Sequence, residues 1–471
     1  MGSTGLPQRR RQWTLALVTV AALLERADEA LLPAVYRKVG AALGASPTAL
    51  GTLTLCRALV QAVCYPLATC AAARYDRARV AAAGAFLWAV ATLLVGASGT
   101  FLQMAMARGF NGVGLALVVP AIYSLVADYS DDTTRGTAFG WVQMAQSMGS
   151  VVGGSLGVML APTVFLGVPG WRLAFYALAL VSVSLAALTW LLAADRRPSN
   201  TKATAAATVA ELVREAKGVV TVPTFQIIVA QGVAGSVPWS ALSFAAMWLE
   251  LVGFTHLETT ALTNLNSVAN ALGAVFAGFV GDPVARRFPD TGRIALAQVC
   301  TALTVPLAAV LLLALPDDPS AGAAYAAAFF VFGLASPWCP VTTNKSYIFA
   351  EIVPEKARTT VYALDKCFES VFASFAPPVV GILAERVFGY KPATSSAKAD
   401  RENAAALGKA IFAEVAVPMT VCCLTYSLLY WTYPADRHRA LQAASGDQEV
   451  DCKANATAAD SLNQPLLWGT E

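Results

Sequence analysis

The chain has 471 residues, 56% of them hydrophobic and 13% charged, about half of the ~25% charged share of a soluble protein. With a mean hydropathy of +0.57, its solvent is expected to be a bilayer. A net charge of +3 is too balanced to favour a nucleic-acid partner, and the presence of only two histidines, His256 and His438, argues against histidine-rich metal chemistry.

From Gln8, the stretch QRRRQWTLALVTVAALL has the basic start and apolar run of a signal peptide. Charged ERADE follows without a small-residue cleavage site, so the stretch predicts an uncleaved first helix. Apolar runs of the ~20 residues that cross a bilayer predict about twelve helices, over 13–39, 49–73, 79–98, 101–127, 136–161, 172–193, 223–250, 259–285, 293–315, 321–350, 359–386 and 406–433. The polar stretch 194–222, with DRRPSNTK and a short amphipathic piece over 208–217, divides the chain evenly after the sixth helix. The expected fold class is an all-α integral membrane protein with two six-helix bundles around a central cavity. Residues 1–12 form a cytoplasmic N-terminus, 13–193 and 223–433 the bundles, 194–222 a cytoplasmic linker, and 434–471 a disordered cytoplasmic tail.

Cytoplasmic loops carry excess Lys and Arg, and alternate loops divide these residues unevenly. The richer set includes Arg9 to Arg11, Arg74, Arg77, Arg79, Arg135, Arg196, Arg197, Arg286, Arg287, Arg293 and Arg358, against Arg37, Lys38, Arg172, Arg386, Lys391, Lys398, Arg401 and Lys409 in the other. Both termini are therefore expected in the cytoplasm, with the chain a multi-pass protein of the plasma membrane or of an endolysosomal or vacuolar membrane. The sequon at Asn455 then lies in the tail and that at Asn344 inside the tenth helix, so neither predicts glycosylation. The nine cysteines fall in membrane segments or the tail and predict free thiols. No metal or cofactor is expected.

The segment DYSDDTTRGTAFGWVQMAQSMGSVVGG from Asp128 aligns with EIVPEKARTTVYALDKCFESVFASFAP from Glu351. Asp128 then matches Glu351, Arg135 matches Arg358, and the face with Gln143 and Gln146 matches Lys366 and Glu369. Parallel six-helix repeats place a substrate site near the bilayer midplane, between the halves.

The fourth helix carries RGFNGVG, with Arg108, Gly112 and Gly114, and the fifth carries Gly140, Gly149, Gly153 and Gly157. After the second helix comes AAARYDRARV, with Ala73 where an acid belongs, and its counterpart GDPVARRFPDTGR keeps Gly281, Asp282, Arg286, Arg287 and Arg293. These signatures, with two halves and a long central loop, resemble the major facilitator superfamily over nearly the whole chain. Within it, ALLERADEALLPAVYRKVG in the first helix looks like the acid–arginine pair of Spinster-type transporters, with Glu25 and Arg26 at the matching positions. The glycines of the fifth helix are similar to an antiporter signature, departing from it at Gly154 and Val158. The Spinster-like resemblance implies lysophospholipids or sphingoid phosphates among substrates, and the glycine pattern implies drug-type or metabolite antiport.

An ionised side chain at the bilayer centre costs at least ~2.5 kcal/mol on insertion scales and is kept where it faces a cavity or a partner. Glu25, Asp28 and Glu29 recur at i, i+3 and i+4, which places three carboxylates on one face of the first helix with Arg26 on an adjacent face. The expected proton-coupling residues are Glu25, Asp28 and Arg108, with Glu25 and Arg108 acting together. A permanently paired structural network is the competing reading. Expected to bind substrate are Arg26, Arg57, Gln143, Gln146, Asp365, Lys366 and Glu369. Arg77, Arg79, Asp128, Arg135, Asp282, Arg286, Glu351 and Arg358 are expected to form ion pairs that latch the cytoplasmic side. Gly149, Gly153 and Gly157 have the spacing of close helix packing, and Pro377 and Pro378 are expected to break the eleventh helix as a hinge.

The chain has no G-x-x-x-x-G-K-[ST] phosphate loop, and no intramembrane histidine or metal-ligand cluster that would mark an enzyme. The function expected is secondary active transport of a small organic or amphipathic anion by alternating access, coupled to protons. A facilitative carrier of lysophospholipid or sphingolipid type, and a non-transporting receptor on a carrier fold, are the alternatives. The expected partners are the lipid bilayer, a small-molecule or lipid substrate and protons, without nucleic acid, and the working unit is a monomer.

Overall fold

The computed structural model describes residues 8–129, 135–193, 217–218, 220–336, 348, 352, 358–391 and 397–462. The first element, α1 (Gln8–Ala34), carries Pro33 in its last turn, and the chain turns at Val35 before α2 (Tyr36–Leu43). The predicted first helix is therefore broken where proline removes a backbone donor. Gly44 closes α2 at φ 60°, the left-handed conformation that glycine adopts without strain. Ser46 and Pro47 then start α3 (Pro47–Arg74), and the Asp76 carboxylate accepts the Ala78 and Arg79 N–H groups at 2.8 and 3.2 Å to start α4 (Arg77–Ala97). After α5 (Phe101–Tyr129) and α6 (Arg135–Leu160), a small hairpin of β1 (Val164–Phe165) and β2 (Val168–Pro169) turns through Leu166 and Gly167, both at positive φ, into α7 (Gly170–Leu192).

After residue 222, α8 (Pro223–Ala241) passes through a 3-10 turn into α9 (Ala245–Val252), and Thr255 with Glu258 forms a capping box for α10 (His256–Arg287). Next come α11 (Gly292–Ala309), a π-helical turn at Val310–Ala314, and α12 (Gly322–Ala335). The predicted eleventh helix is split into α13 (Arg358–Ala373) and α14 (Ala376–Ile382), parted just ahead of Pro377 and Pro378 and followed by a second π turn at Leu383–Val387. The last element, α15 (Ala397–Leu462), runs on into the segment expected as a tail. Residues 434–462 are helical, and their eight alanines favour that state by intrinsic propensity.

Eight of the described helices are long and apolar enough to cross a membrane, and a shorter apolar helix covers Pro319–Ala335. Helices α1, α6 and α10 take the places of the predicted first, fifth and eighth. Large apolar side chains such as Leu180, Leu191, Val417 and Leu424 point outward, whereas Trp88 and Trp248 are fully buried. That inversion suits a hydrocarbon solvent around a packed interior. Trp13 and Trp190 are exposed near helix ends, and Trp431 is exposed near the end of the apolar span Lys398–Arg439 of α15, where an amphipathic ring suits the membrane interface.

The helices before Ala193 pack mainly on one another, as do those after Val222. Among the described residues, direct bonds between these amino-terminal and carboxy-terminal groups lie toward the face where α1 ends, termed the far face; α4 and α8 begin at the opposite, terminal face. Arg37 Nη2 meets Asp400 Oδ2 at 2.8 Å, Arg37 Nη1 donates to the Glu250 carbonyl at 2.8 Å, the Thr48 N–H donates to Glu385 at 2.8 Å, and Asn264 donates to Ser155 at 2.9 Å. A Cβ on Gly51 would lie 2.4 Å from the Pro377 backbone, and one on Gly381 2.3 Å from Thr48 N. The two groups therefore touch backbone to backbone there.

Inside the amino-terminal group, α1 lies along α6 on a row of glycines. A Cβ would meet the Leu23 carbonyl at 2.0 Å from Gly149, the Ala27 carbonyl at 2.1 Å from Gly153, and Ala34 at 2.8 Å from Gly157, while Gly154 faces open space. Gly153→Ala is expected to force α1 off α6 and to destabilise the fold by about 1–3 kcal/mol, with Gly154→Ala close to wild type. Melting of the two variants in detergent checks this, and equal melting temperatures would contradict the packing.

Candidate functional site

The three acids of α1 separate among different partners. Asp28 is fully buried, and its carboxylate accepts Thr92 Oγ1–H at 2.8 Å and Asn111 Nδ2–H at 3.0 Å, with Arg108 Nη1 at 3.4 Å. Glu29 accepts from Arg57 Nη2 at 2.7 Å and from Arg26 Nη1. Glu25, 6% exposed, has Arg26 Nε and Gln146 Nε2 each at 3.5 Å. Arg108 therefore pairs with Asp28 and not with Glu25, correcting the expected partnership. The reason is helical geometry: Asp28 is turned toward α4 and α5, where Thr92, Arg108 and Asn111 are buried.

Two glycines of the RGFNGVG motif place these groups. A Cβ on Gly112 would lie 2.4 Å from the Arg57 carbonyl, and one on Gly114 2.6 Å from Trp88 N. Helix α5 thus lies directly on α3 and α4, which brings Arg57, Thr92, Arg108 and Asn111 around one stretch of α1. Three carboxylates meet three guanidinium groups in this cluster, so its formal charge is balanced. That balance is what a medium with no water to solvate ions requires. Among the described residues, Arg57 Nε and Arg108 Nε are buried donors without a hydrogen-bond partner.

Around the cluster, Gln146 donates to Tyr123 Oη at 3.3 Å, Gln61 donates to Tyr65 Oη at 3.0 Å, and Tyr36 and Thr54 share a bond of 2.6 Å. Glu29 stands out in the sequence as one of the three acids on one helix face but carries no expected role there, and Thr92 and Asn111 are absent from the residues singled out. Thr92 is a polar position in the otherwise apolar body of α4, and Asn111 follows Arg108 by three residues, so each carried a legible signal.

In the carboxy-terminal group, Asp365 and Glu369 are both buried and four apart on α13, hence on one face of it. Gly232 makes room for Glu369, because a Cβ there would lie 2.5 Å from Glu369 Oε1, and Ser236 Oγ donates to the Glu369 carbonyl at 3.4 Å. The side chains of Gln143 and Lys366 lie outside the described residues. Among the described residues, no group of three His, Cys, Asp or Glu is placed to hold a metal ion.

Of the residues expected to latch the terminal face, Arg77 is buried at the start of α4 and Arg286 is exposed near the end of α10. Arg79 is exposed and lies 5.9 Å above the Trp190 ring, a cation–π contact where an ion pair was expected. The side chains of Asp128, Arg135, Asp282 and Arg358, and the whole of Glu351, fall outside the described residues.

A sequence profile of the Major Facilitator Superfamily matches residues 18–346. Multidrug resistance protein 1 of Bacillus subtilis is 29% identical over 158 residues, which are 33% of this chain and 39% of that protein. An MFS-type efflux pump of Mycolicibacterium smegmatis is 28% identical over 375 residues, 76% of this chain and 80% of the pump. Among solved structures, a bacterial homologue of the human lysosomal transporter Spinster, inward-facing and unoccupied, superposes with a TM-score of 0.76 at 19% identity, over 92% of this chain and 99% of that one. With the family profile spanning well over half of the residues, the chain belongs to the major facilitator superfamily.

Proposed function

We propose that the chain is a secondary active transporter of a small organic or amphipathic anion, that it works by alternating access, and that proton binding at Glu25 drives it. The observation that carries this reading is the unequal compensation of the three buried acids. Glu29 is held by two guanidinium groups and Asp28 by three polar groups, whereas Glu25 has only contacts at 3.5 Å. Of the three, Glu25 is the acid whose negative charge is least supported, so it is the site that takes and releases a proton.

Arg26 and Arg57 supply the anion site. Arg57 has a spare buried N–H, and Arg26 is partly exposed beside Glu25. An anionic group that draws these guanidinium groups away from the acids leaves Glu25 with less positive charge nearby. Protonation of Glu25 then restores the balance, so anion and proton enter together. The bundles 13–193 and 223–433 are the two bodies that move, and the monomer is the working unit because it already contains both. With both termini cytoplasmic, the closed far face is the external one, and Gln146, Asp365 and Glu369 lie on helices that border the path.

Proteoliposomes offered organic anions, drugs, sugars and lysophospholipids one at a time test this. One solute class is expected to evoke proton flux, and Glu25→Gln to reduce that flux by about tenfold or more, equivalent to ~1.4 kcal/mol. Labelled lysolipid equilibrating without proton movement would replace the proposal with a facilitative lipid carrier. Silence in every arm would favour a receptor.

The buried acids also differ in what their loss does to the fold. Asp28→Asn removes the charge facing buried Arg108 and is expected to cost about 3–5 kcal/mol. Glu25→Gln, at a group with long contacts only, is expected to melt near wild type. Thermal melting of both variants separates the structural acid from the titrating one.

A further inference from the structure

We propose that Glu385 is a gating residue, whose carboxylate holds the far face shut by capping a membrane helix of the opposite bundle. The inference deepens the alternating-access reading and rests on it. The N-terminus of α3 reads Ser46-Pro47-Thr48, and a helix start leaves its first N–H groups without partners inside the helix. Pro47 has no N–H, and Ala49 N–H is taken by Ser46 Oγ at 3.4 Å. The Thr48 N–H reaches across to Glu385 Oε1 at 2.8 Å. A carboxylate in that place gains both a charge-assisted hydrogen bond and the favourable end of the helix dipole.

The same device occurs a second time, inside one bundle. Helix α8 begins Val222-Pro223-Thr224, and the Thr224 N–H donates to Asp436 Oδ2 at 2.9 Å. Asp436 is buried and belongs to α15, in the same bundle as α8. A cap within one bundle persists when the bundles rock, whereas a cap between bundles must break each time the far face opens. Three features mark the Glu385 contact as built for breaking. Glu385 sits on a π turn, a local irregularity frequent at functional sites. Gly51 and Gly381 let the two backbones touch without an interlocking side chain. A groove of about 450 Å³ lined by Ser46, Thr48, Thr52, Phe101, Glu385 and Arg386 adjoins the contact, so water can solvate both partners once they part. The neighbouring Arg37–Asp400 pair, each side chain about a third exposed, adds less, as exposed ion pairs do.

Hydrogen–deuterium exchange of the full chain in nanodiscs reads the gate without any solute. Glu385→Ala is expected to raise exchange over 45–55 and 374–391 on the order of tenfold and to lower it over 75–82 and 286–298 at the terminal face as that side closes. Glu385→Gln, which keeps a neutral acceptor, is expected to do the same more weakly. Gly51→Ala should do it without touching the carboxylate. Asp436→Asn should raise exchange only at the start of α8. A rise confined to the first turn of α3, or one spread uniformly over all peptides in Glu385→Ala and Gly51→Ala alike, would make Glu385 a static cap and overturn the proposal. Because this signal needs no transported solute, a reciprocal exchange shift alongside absent solute-evoked flux would sustain the gate and reject the transport reading separately.

Discussion

Charge can be kept in hydrocarbon only when opposite charge is buried with it, and the amino-terminal bundle is organised around that requirement. Glu25, Asp28 and Glu29 on one helix demand cations, and Arg26, Arg57 and Arg108 supply them from three helices. Arg26 pairs within α1, whereas Glu29–Arg57 ties α1 to α3 and Asp28–Arg108 ties it to α5, so the position of α1 is set by electrostatics as much as by packing. A fully satisfied version of the cluster would be rigid and inert. The long contacts of Glu25 and the spare donors of Arg57 and Arg108 leave it with one weakly held carboxylate and two unused N–H groups, the features on which the proposed coupling of proton and anion rests.

Backbone approach makes the cluster possible. Gly112 against Arg57, Gly114 against Trp88, and Gly149 and Gly153 against α1 remove the side chains that would hold the helices apart. At the far face Gly51 and Gly381 do the same between bundles. Small residues thus serve two ends: inside a bundle they allow permanent contacts, and between bundles they leave a smooth surface that can part.

Much of this was legible in the sequence, because hydrophobic runs of membrane length and isolated intramembrane charges are strong signals. The helices, the even division of the chain, the glycine packing on α6 and the break at Pro377 and Pro378 all follow from local rules. The partner choice within the cluster did not. Asp28 and Glu25 are less than one turn apart, and only the rotation of α1 against α4 and α5 decides which of them meets Arg108. The contacts at the far face escaped for a different reason: Arg37 counts only as a loop charge, Glu385 falls at the end of the predicted eleventh helix and Asp400 in the loop after it, and their meeting depends on how the two bundles lean together. The helical continuation of α15 past Tyr433 was hidden by a polar composition that suits a loop and a helix alike.

The order of the cluster along the chain bears on how the protein is made. Glu25, Arg26, Asp28 and Glu29 leave the ribosome in the first helix, before their partners exist. Arg57 is 28 residues behind Glu29, and Arg108 80 residues behind Asp28, an interval of roughly 4–16 s at about 5–20 residues per second of synthesis. During that interval α1 has no partner for Asp28 and is a poor candidate for release into lipid, at ~2.5–3.5 kcal/mol for such a charge at mid-membrane. That cost favours retention of the first helix beside the insertion machinery until the helix bearing Arg108 arrives, and so a concerted integration of this half.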